Sequence, residues 1–229
     1  MTEPKLADHY NESYKQENFF RYPEWVYAPW ISSLVAFCGL RKGQTALDVG
    51  CGQGFFSHLL SRHGLRVHGI DLSETGVRQA EKLYGGPEVS FSVADVKTTT
   101  FPERFDCVFV RSCSLYNTDL FTSNKDVTRA FLRHLKPEGT FIFSYNTKFT
   151  SKPSKTWRYH SIEDVREHFS EYPTAEIYFL NRITPLLARR YSFNRIFTKA
   201  NILFSKVSGT GGDIVCVVRA PQDRTSSAV

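Results

Sequence analysis

From Gln44 onward the apolar positions switch repeatedly between a period of two and a helical period, and the switches mark out the elements. Thr45-Ala-Leu-Asp-Val reads as a first strand, residues 55–63 as a helix, and Arg66-Val-His-Gly-Ile-Asp71 as a second strand. Ser73 is placed to cap a helix over residues 74–84, which Gly85-Gly86-Pro87 stops. Val89–Asp95 alternates as a third strand and Phe105–Arg111 as a fourth. Lys125–Leu135 is amphipathic, with Val127, Ala130, Phe131 and Leu135 at helical spacing beside Leu132. Pro137-Glu-Gly139 is expected to end that helix, and Thr140–Tyr145 to follow as a fifth strand.

The flanks have a different texture. Residues 8–40 predict a pair of helices rich in Tyr, Phe and Trp. Beyond Asn146 comes a polar loop, then a helix over 161–169, a sixth strand over 175–181, and a seventh behind the glycine turn at Gly209. Strand–helix alternation with short connections implies an α/β chain with a parallel sheet and helices on both faces. The expected organisation is one domain over 1–220: a helical cap (1–40), a ligand-binding core (44–146) and a C-terminal part (147–220). Residues 221–229 read as a flexible tail.

Composition narrows the class. The chain has 229 residues, 41% hydrophobic, enough for a sizeable core. No apolar run approaches the ~18 residues of a membrane span, and the polar first residues lack a signal-peptide apolar core. Cys38, Cys51, Cys107, Cys113 and Cys216 are scattered without CxxC pairing, so free thiols in a reducing cytoplasm are expected. The formal charge of +6 is spread rather than blocked, a mild surface bias. His58, His63, His68 and His134 have no metal-ligand spacing, so no metal is expected.

The chemistry concentrates where Asp48 leads into Gly50-Cys51-Gly52-Gln53-Gly54 between the first strand and its helix. Such a turn bends tightly and lets a ligand approach the backbone, as a nucleotide cradle does. Asp48, Asp71 and Asp95 fall at or near the carboxyl ends of successive strands, the edge where open parallel sheets bind ligands. Asp71 stands about twenty residues past the turn, suited to accept hydrogen bonds from ribose hydroxyls. A dinucleotide site shares that acid, but the glycine spacing differs from Gly-x-Gly-x-x-Gly.

Leu47-Asp-Val-Gly-Cys-Gly-Gln-Gly54, Gly69-Ile-Asp-Leu-Ser73, Val93-Ala-Asp-Val96, Phe105-Asp-Cys-Val108 and Leu135-Lys-Pro-Glu-Gly-Thr140 together resemble the motif series of class I S-adenosylmethionine-dependent methyltransferases. The resemblance covers roughly residues 44–146; Pro-Glu-Gly stands where Pro-Gly-Gly is common. It implies a Rossmann-like, doubly wound sheet of seven strands, the last antiparallel. It also implies S-adenosyl-L-methionine as cofactor, with S-adenosyl-L-homocysteine as product. Gly50, Cys51, Gly52 and Gly54 would line its methionine and ribose parts, and Asp48 would hold its amino group. Asp71 would bind the ribose hydroxyls, Leu72 would pack on adenine, and Asp95 would accept from the adenine amino group beside Val96. Arg111 resembles the position whose backbone meets the methionine end. Tyr14, with Tyr10 on the same helix face, would form a lid; core packing is the alternative for both.

The acceptor side is less specified. Methyl transfer from a sulfonium is largely positioning, with a base for weakly acidic acceptors. His160, Tyr116 and Asn146 are the candidates for base or positioning, and His160 also reads as a surface residue before a capped helix. Tyr10, Trp25, Tyr116, Asn117, Tyr145 and Trp157 are candidates for contact with the acceptor; Trp25, with Tyr27 and Trp30, reads equally as packing. Arg111-Ser-Cys-Ser-Leu-Tyr-Asn117 lacks the Asn/Asp-Pro-Pro-Tyr/Phe of DNA amino-methyltransferases, and no dense basic block appears, so nucleic acid is not expected as partner. A small-molecule acceptor is expected. The basic, apolar segment 185–207 reads as an inserted helix or, alternatively, as an interfacial helix at a membrane surface. A cofactor-binding protein without transfer activity is the other alternative.

Overall fold

Ser73 does cap its helix, its Oγ accepting from Gly76 N–H at 3.0 Å, and such local signals set most of the element boundaries. The computed structural model describes residues 3–147, 157–181 and 193–220. Its helices are α1 (Glu3–Ser13), α2 (Glu24–Cys38), α3 (Phe55–Ser61), α4 (Glu74–Tyr84), α5 (Lys125–Leu132), α6 (Ile162–His168) and α7 (Arg195–Ser208). Its strands are β1 (Thr45–Val49), β2 (Arg66–Asp71), β3 (Val89–Val93), β4 (Phe105–Arg111), β5 (Leu135–Thr147), β6 (Glu176–Asn181) and β7 (Gly212–Arg219). The loop over 148–156, the first part of the basic segment (182–192) and the tail lie outside the described residues.

The strands belong to one mixed sheet, and the chain divides into two compact units, Met1–Pro102 and Glu103–Val229. The first contributes β3-β2-β1, all parallel. Ala46, Leu47, Leu60, Leu65 and Ile70 are buried in its core. The second contributes β4-β5-β7-β6, with β4 and β5 parallel and β7 antiparallel to both neighbours. The antiparallel last strand therefore stands as expected.

Several boundaries differ from expectation, each for a local reason. α5 stops at Leu132 rather than Leu135, because the His134 carbonyl accepts from Phe105 N–H at 2.8 Å and so opens the next ladder. β5 accordingly begins at Leu135, not Thr140. Pro137-Glu-Gly139 is an irregularity inside the strand: Phe105 pairs with Leu135, while Cys107 already pairs with Thr140. Glu138 sits at φ 62 there, the left-handed conformation such a bulge demands. α3 ends at Ser61 because Gly64 turns the chain at φ 78. β3 ends at Val93, where Asp95 begins a turn of its own.

α7 is inverted relative to an ordinary surface helix. Thr198, Asn201 and Ser205 are its buried residues, while Ile196, Leu203, Phe204 and Val207 face outward. It packs on β6, and Arg195 reaches Glu176 at 3.5 Å.

Candidate functional site

In the first unit the strand register builds the cradle. Val49 pairs with Ile70, so Asp71 lies level with Gly50, the residue after β1. The Ile70 carbonyl accepts from Gly50 N–H and Cys51 N–H at 2.8 and 3.0 Å, locking the start of the turn. Gly50, Gly52 and Gly54 all have positive φ, at 75, 53 and 82, which L-residues rarely adopt. Space explains the glycines further. A Cβ at Gly54 would lie 2.8 Å from both Ala80 Cβ and the Phe91 ring, so this glycine serves packing. A Cβ at Gly52 would lie 2.7 Å from the Tyr14 hydroxyl, and one at Gly76 2.8 Å from the Tyr14 ring.

The acids are held differently from one another. Asp71 accepts Gly52 N–H on Oδ2 at 2.9 Å and Ser73 N–H on Oδ1 at 2.8 Å. Burial pushes its carboxyl above the usual range, outweighing the backbone N–H groups that favour the charge. Leu72 N–H is a third backbone donor to it, and the carboxylate keeps acceptor capacity for a further donor. Asp48 is buried, and Oδ2 accepts from Ser57 Oγ at 2.6 Å, which ties β1 to α3. Asp95 accepts Lys97 N–H on Oδ1 at 2.9 Å, as a loop acid does, while Oδ2 carries no bond among the described residues. Leu72 is half-buried beside Asp71 and Val96 is buried beside Asp95.

Tyr14 is buried and stacks on Tyr10, ring centroids 5.5 Å apart, one residue past the end of α1. Burial, then the Asp71 carboxylate, pushes its hydroxyl well above the ordinary tyrosine value. Cys51 is also buried; burial, then Asp71 and Asp48, raise its thiol, so it stays protonated. Trp25 is largely exposed.

The second unit gathers the remaining candidates around one aromatic cluster. Tyr116 is fully buried, and its hydroxyl lies 2.7 Å from Thr128 Oγ1, itself 2.7 Å from His168 Nε2. The Tyr116 carbonyl accepts from Tyr145 OH at 3.4 Å and faces His160 Nε2 at 3.2 Å. A carbonyl only accepts, so Nε2 bears the proton and Nδ1 the lone pair. Burial lowers the His160 pKa, which keeps the ring neutral near pH 7. Asn117 Oδ1 accepts from Arg158 N–H at 2.7 Å, and Tyr145 stacks on Trp157 at 5.2 Å. Arg111 is buried, and its guanidinium lies 3.5 Å from Asp213.

Sequence reasoning missed Ser112 and Ser144. Ser112 holds φ 48 at the end of β4, and its N–H donates to the Ser144 carbonyl at 2.8 Å. Both hydroxyls are buried without a hydrogen-bond partner among the described residues, as is Asn146 Oδ1. Strained backbone and unpaired buried polar atoms cluster at functional sites. The Arg-Ser-Cys-Ser stretch after the fourth strand was the only available signal. No group of His, Cys, Asp or Glu suited to a metal occurs among the described residues.

A methyltransferase-domain family model matches residues 46–139. Phosphoethanolamine N-methyltransferase 1 of Zea mays is 35% identical over 120 residues, 51% of this chain and 23% of that protein. The ubiquinone biosynthesis O-methyltransferase of Pseudomonas entomophila is 34% identical over 119 residues, 50% of this chain and 48% of that one. The chain thus spans about half, or less, of the length of these curated relatives. Among solved structures, the N-methyltransferase NodS of Bradyrhizobium japonicum, with S-adenosyl-L-homocysteine, superposes with a TM-score of 0.66 at 16% identity. That match covers 94% of this chain and 98% of the other. Haemonchus contortus phosphoethanolamine N-methyltransferase 2, with S-adenosyl-L-methionine, gives 0.63 at 20% identity, covering 93% and 60%. At such identities the solved structures speak to the fold alone.

Proposed function

We propose that this chain, whose residues 46–139 match a methyltransferase-domain family model, is a class I S-adenosylmethionine-dependent methyltransferase that methylates an oxygen, nitrogen or carbon atom of a small-molecule metabolite. The observation that carries the reading is Asp71. Its two oxygens are aimed by Gly52 N–H and Ser73 N–H, with Leu72 N–H beside them, and the carboxylate retains acceptor capacity for ribose hydroxyls. Holding an ionised carboxylate where burial opposes the charge costs stability, as functional sites often do. The rest of the set fits the same cofactor. Asp95 Oδ2 is available to the adenine amino group, and the glycine turn admits close approach of backbone. When bound, S-adenosyl-L-methionine supplies a methyl group already activated on sulfonium.

The protein's own work is then to bind, orient and exclude water. Asp48 is held rigid by Ser57, ready to orient an amino group directly or through water. Tyr14 covers the turn and sheds solvent from Asp71. On the acceptor side His160 is the base we favour, taking the proton at Nδ1, and Asn146, whose Oδ1 has no partner among the described residues, positions a polar group. The maize and Pseudomonas relatives are named for N- and O-methylation, which supports an amine or hydroxyl acceptor. The free cysteines support a reducing, cytoplasmic setting.

Assaying methyl transfer across a panel of amines, phenols and carboxylates tests the reading, with turnover on one class expected. Binding of the cofactor with no turnover on any would instead favour a non-catalytic cofactor-binding protein. With a hydroxyl acceptor, His160→Gln should lower kcat and remove the acid limb of its pH profile; an unchanged profile would dismiss His160 as base.

A second reading rests on α7. Its outward Ile196, Leu203 and Val207 lie beside Lys199 and Lys206, as at an anionic lipid surface, which would suit a lipid-like acceptor. Flotation with phosphatidylglycerol vesicles at low salt tests it, and failure to float would remove it.

A further inference from the structure

The segment that follows α1 is tied down over the glycine turn by side-chain amides. Gln53, in the middle of that turn, accepts Phe19 N–H on Oε1 at 2.9 Å and donates Nε2–H to the Gln16 carbonyl at 2.9 Å. It also donates to Gln79 Oε1, and Gln79 Nε2 in turn donates to the Tyr14 carbonyl. Every amide atom in this relay meets a partner of the right kind, so neither side chain can flip without losing bonds. Asn11 anchors the other end, its Oδ1 accepting from Ser73 Oγ at 2.8 Å and Thr75 N–H at 3.1 Å. Between these ties Tyr14 fills the slot left by Gly52 and Gly76, with Phe19 and Phe20 edge-on to its ring.

We propose that Gln53 and Gln79 form a latch that holds residues 14–20 closed over the cofactor cradle and so set the rate at which cofactor enters and leaves. The proposal rests on the methyl-donor reading above. A residue of the ligand-binding turn that also binds the cover couples the two directly. The bonds are partly exposed, so each is worth little alone; together they are enough to slow exchange by about tenfold. Gln53 is on this account a positioning residue, distinct from any group that touches the methyl.

The test is stopped-flow measurement of S-adenosyl-L-methionine association and dissociation in the wild-type protein and three variants. Gln53→Glu is isosteric, but it turns both Nε2 donors into acceptors facing the Gln16 carbonyl and Gln79 Oε1. Gln79→Glu likewise opposes the Tyr14 carbonyl from outside the turn. Gly76→Ala puts a methyl group 2.8 Å from the Tyr14 ring and leaves the amides alone. All three should accelerate both association and dissociation, on the order of tenfold, with a smaller change in Kd. Trypsin should also cleave faster after Lys15 and Arg21 in the cofactor-free variants, while far-UV circular dichroism stays unchanged. Wild-type rates in all three variants, or a loss of affinity through slower association, would overturn the latch. If wild-type protein binds no cofactor at all, the donor reading fails, and the trypsin comparison still decides whether the amides hold the segment.

Discussion

Replacing Asp71 by alanine is the sharpest perturbation of the proposed donor site. Its carboxylate takes the Gly52 and Ser73 N–H groups, with Leu72 N–H also favouring the charge, and keeps acceptor capacity for the ribose hydroxyls. Hydrogen bonds to a charged group contribute roughly 1.5–3 kcal/mol each, so losing both ribose hydroxyl contacts costs at least about 3 kcal/mol. That is on the order of a hundredfold in Kd. Equilibrium dialysis with labelled S-adenosyl-L-methionine measures it. The pH dependence adds a second signature. Burial raises the folded-state pKa of Asp71 above the ordinary carboxylate value, so the charge costs stability at neutral pH, and the cost is relieved as pH falls through the raised value. Binding needs the charged form. Affinity should therefore be flat above that pKa and weaken as pH falls through it, while Asp71→Asn binds weakly and without this pH dependence. If Asp71→Ala binds within about threefold of wild type, well under 1 kcal/mol, the ribose assignment is wrong.

Three further outcomes are expected. Gly54→Ala must accommodate a Cβ 2.8 Å from Ala80 and Phe91 at φ 82, costing about 3 kcal/mol and lowering Tm by roughly 10 °C; an unchanged melt would refute the packing role. Arg111→Met leaves the half-buried Asp213 without its guanidinium and should destabilise by about 1–3 kcal/mol in urea unfolding, whereas a neutral effect would show the pair to be dispensable. Burial lowers His168 from 6.5 to about 4, so its neutral form is the native one. Stability should thus be constant above pH 6.5 and decline as pH falls towards 4; His168→Gln should flatten that decline, and an unaltered pH profile would exclude His168 as its source.

The local structure around the proposed donor site was legible because each of its parts is local. The cap at Ser73, the glycine run and the acids near strand ends are read over a few residues, and α4 and β1, β2 and β4 have the expected bounds. Expectation failed where tertiary context overrode local chemistry. Pro137-Glu-Gly139 reads as a loop, yet β5 absorbs it as a bulge because Phe105 and Cys107 pair on either side. α7 turns its apolar positions outward, which amphipathicity alone cannot reveal. The Tyr116 hydroxyl, a candidate for chemistry, is engaged with Thr128 inside the aromatic cluster. Gln53 and Gln79 had no visible signature, since their partners become neighbours only when residues 14–19 fold back over the turn.

The Asp48–Asp95 cradle is proposed to hold a methyl donor. Isothermal titration of S-adenosyl-L-methionine into the wild-type protein tests it most directly. Saturable one-to-one binding is expected, competed by S-adenosyl-L-homocysteine and strongly weakened in Asp71→Ala. A folded wild-type protein that gives no binding heat at any temperature tried, and no protection of the 14–20 segment by the cofactor, would contradict it.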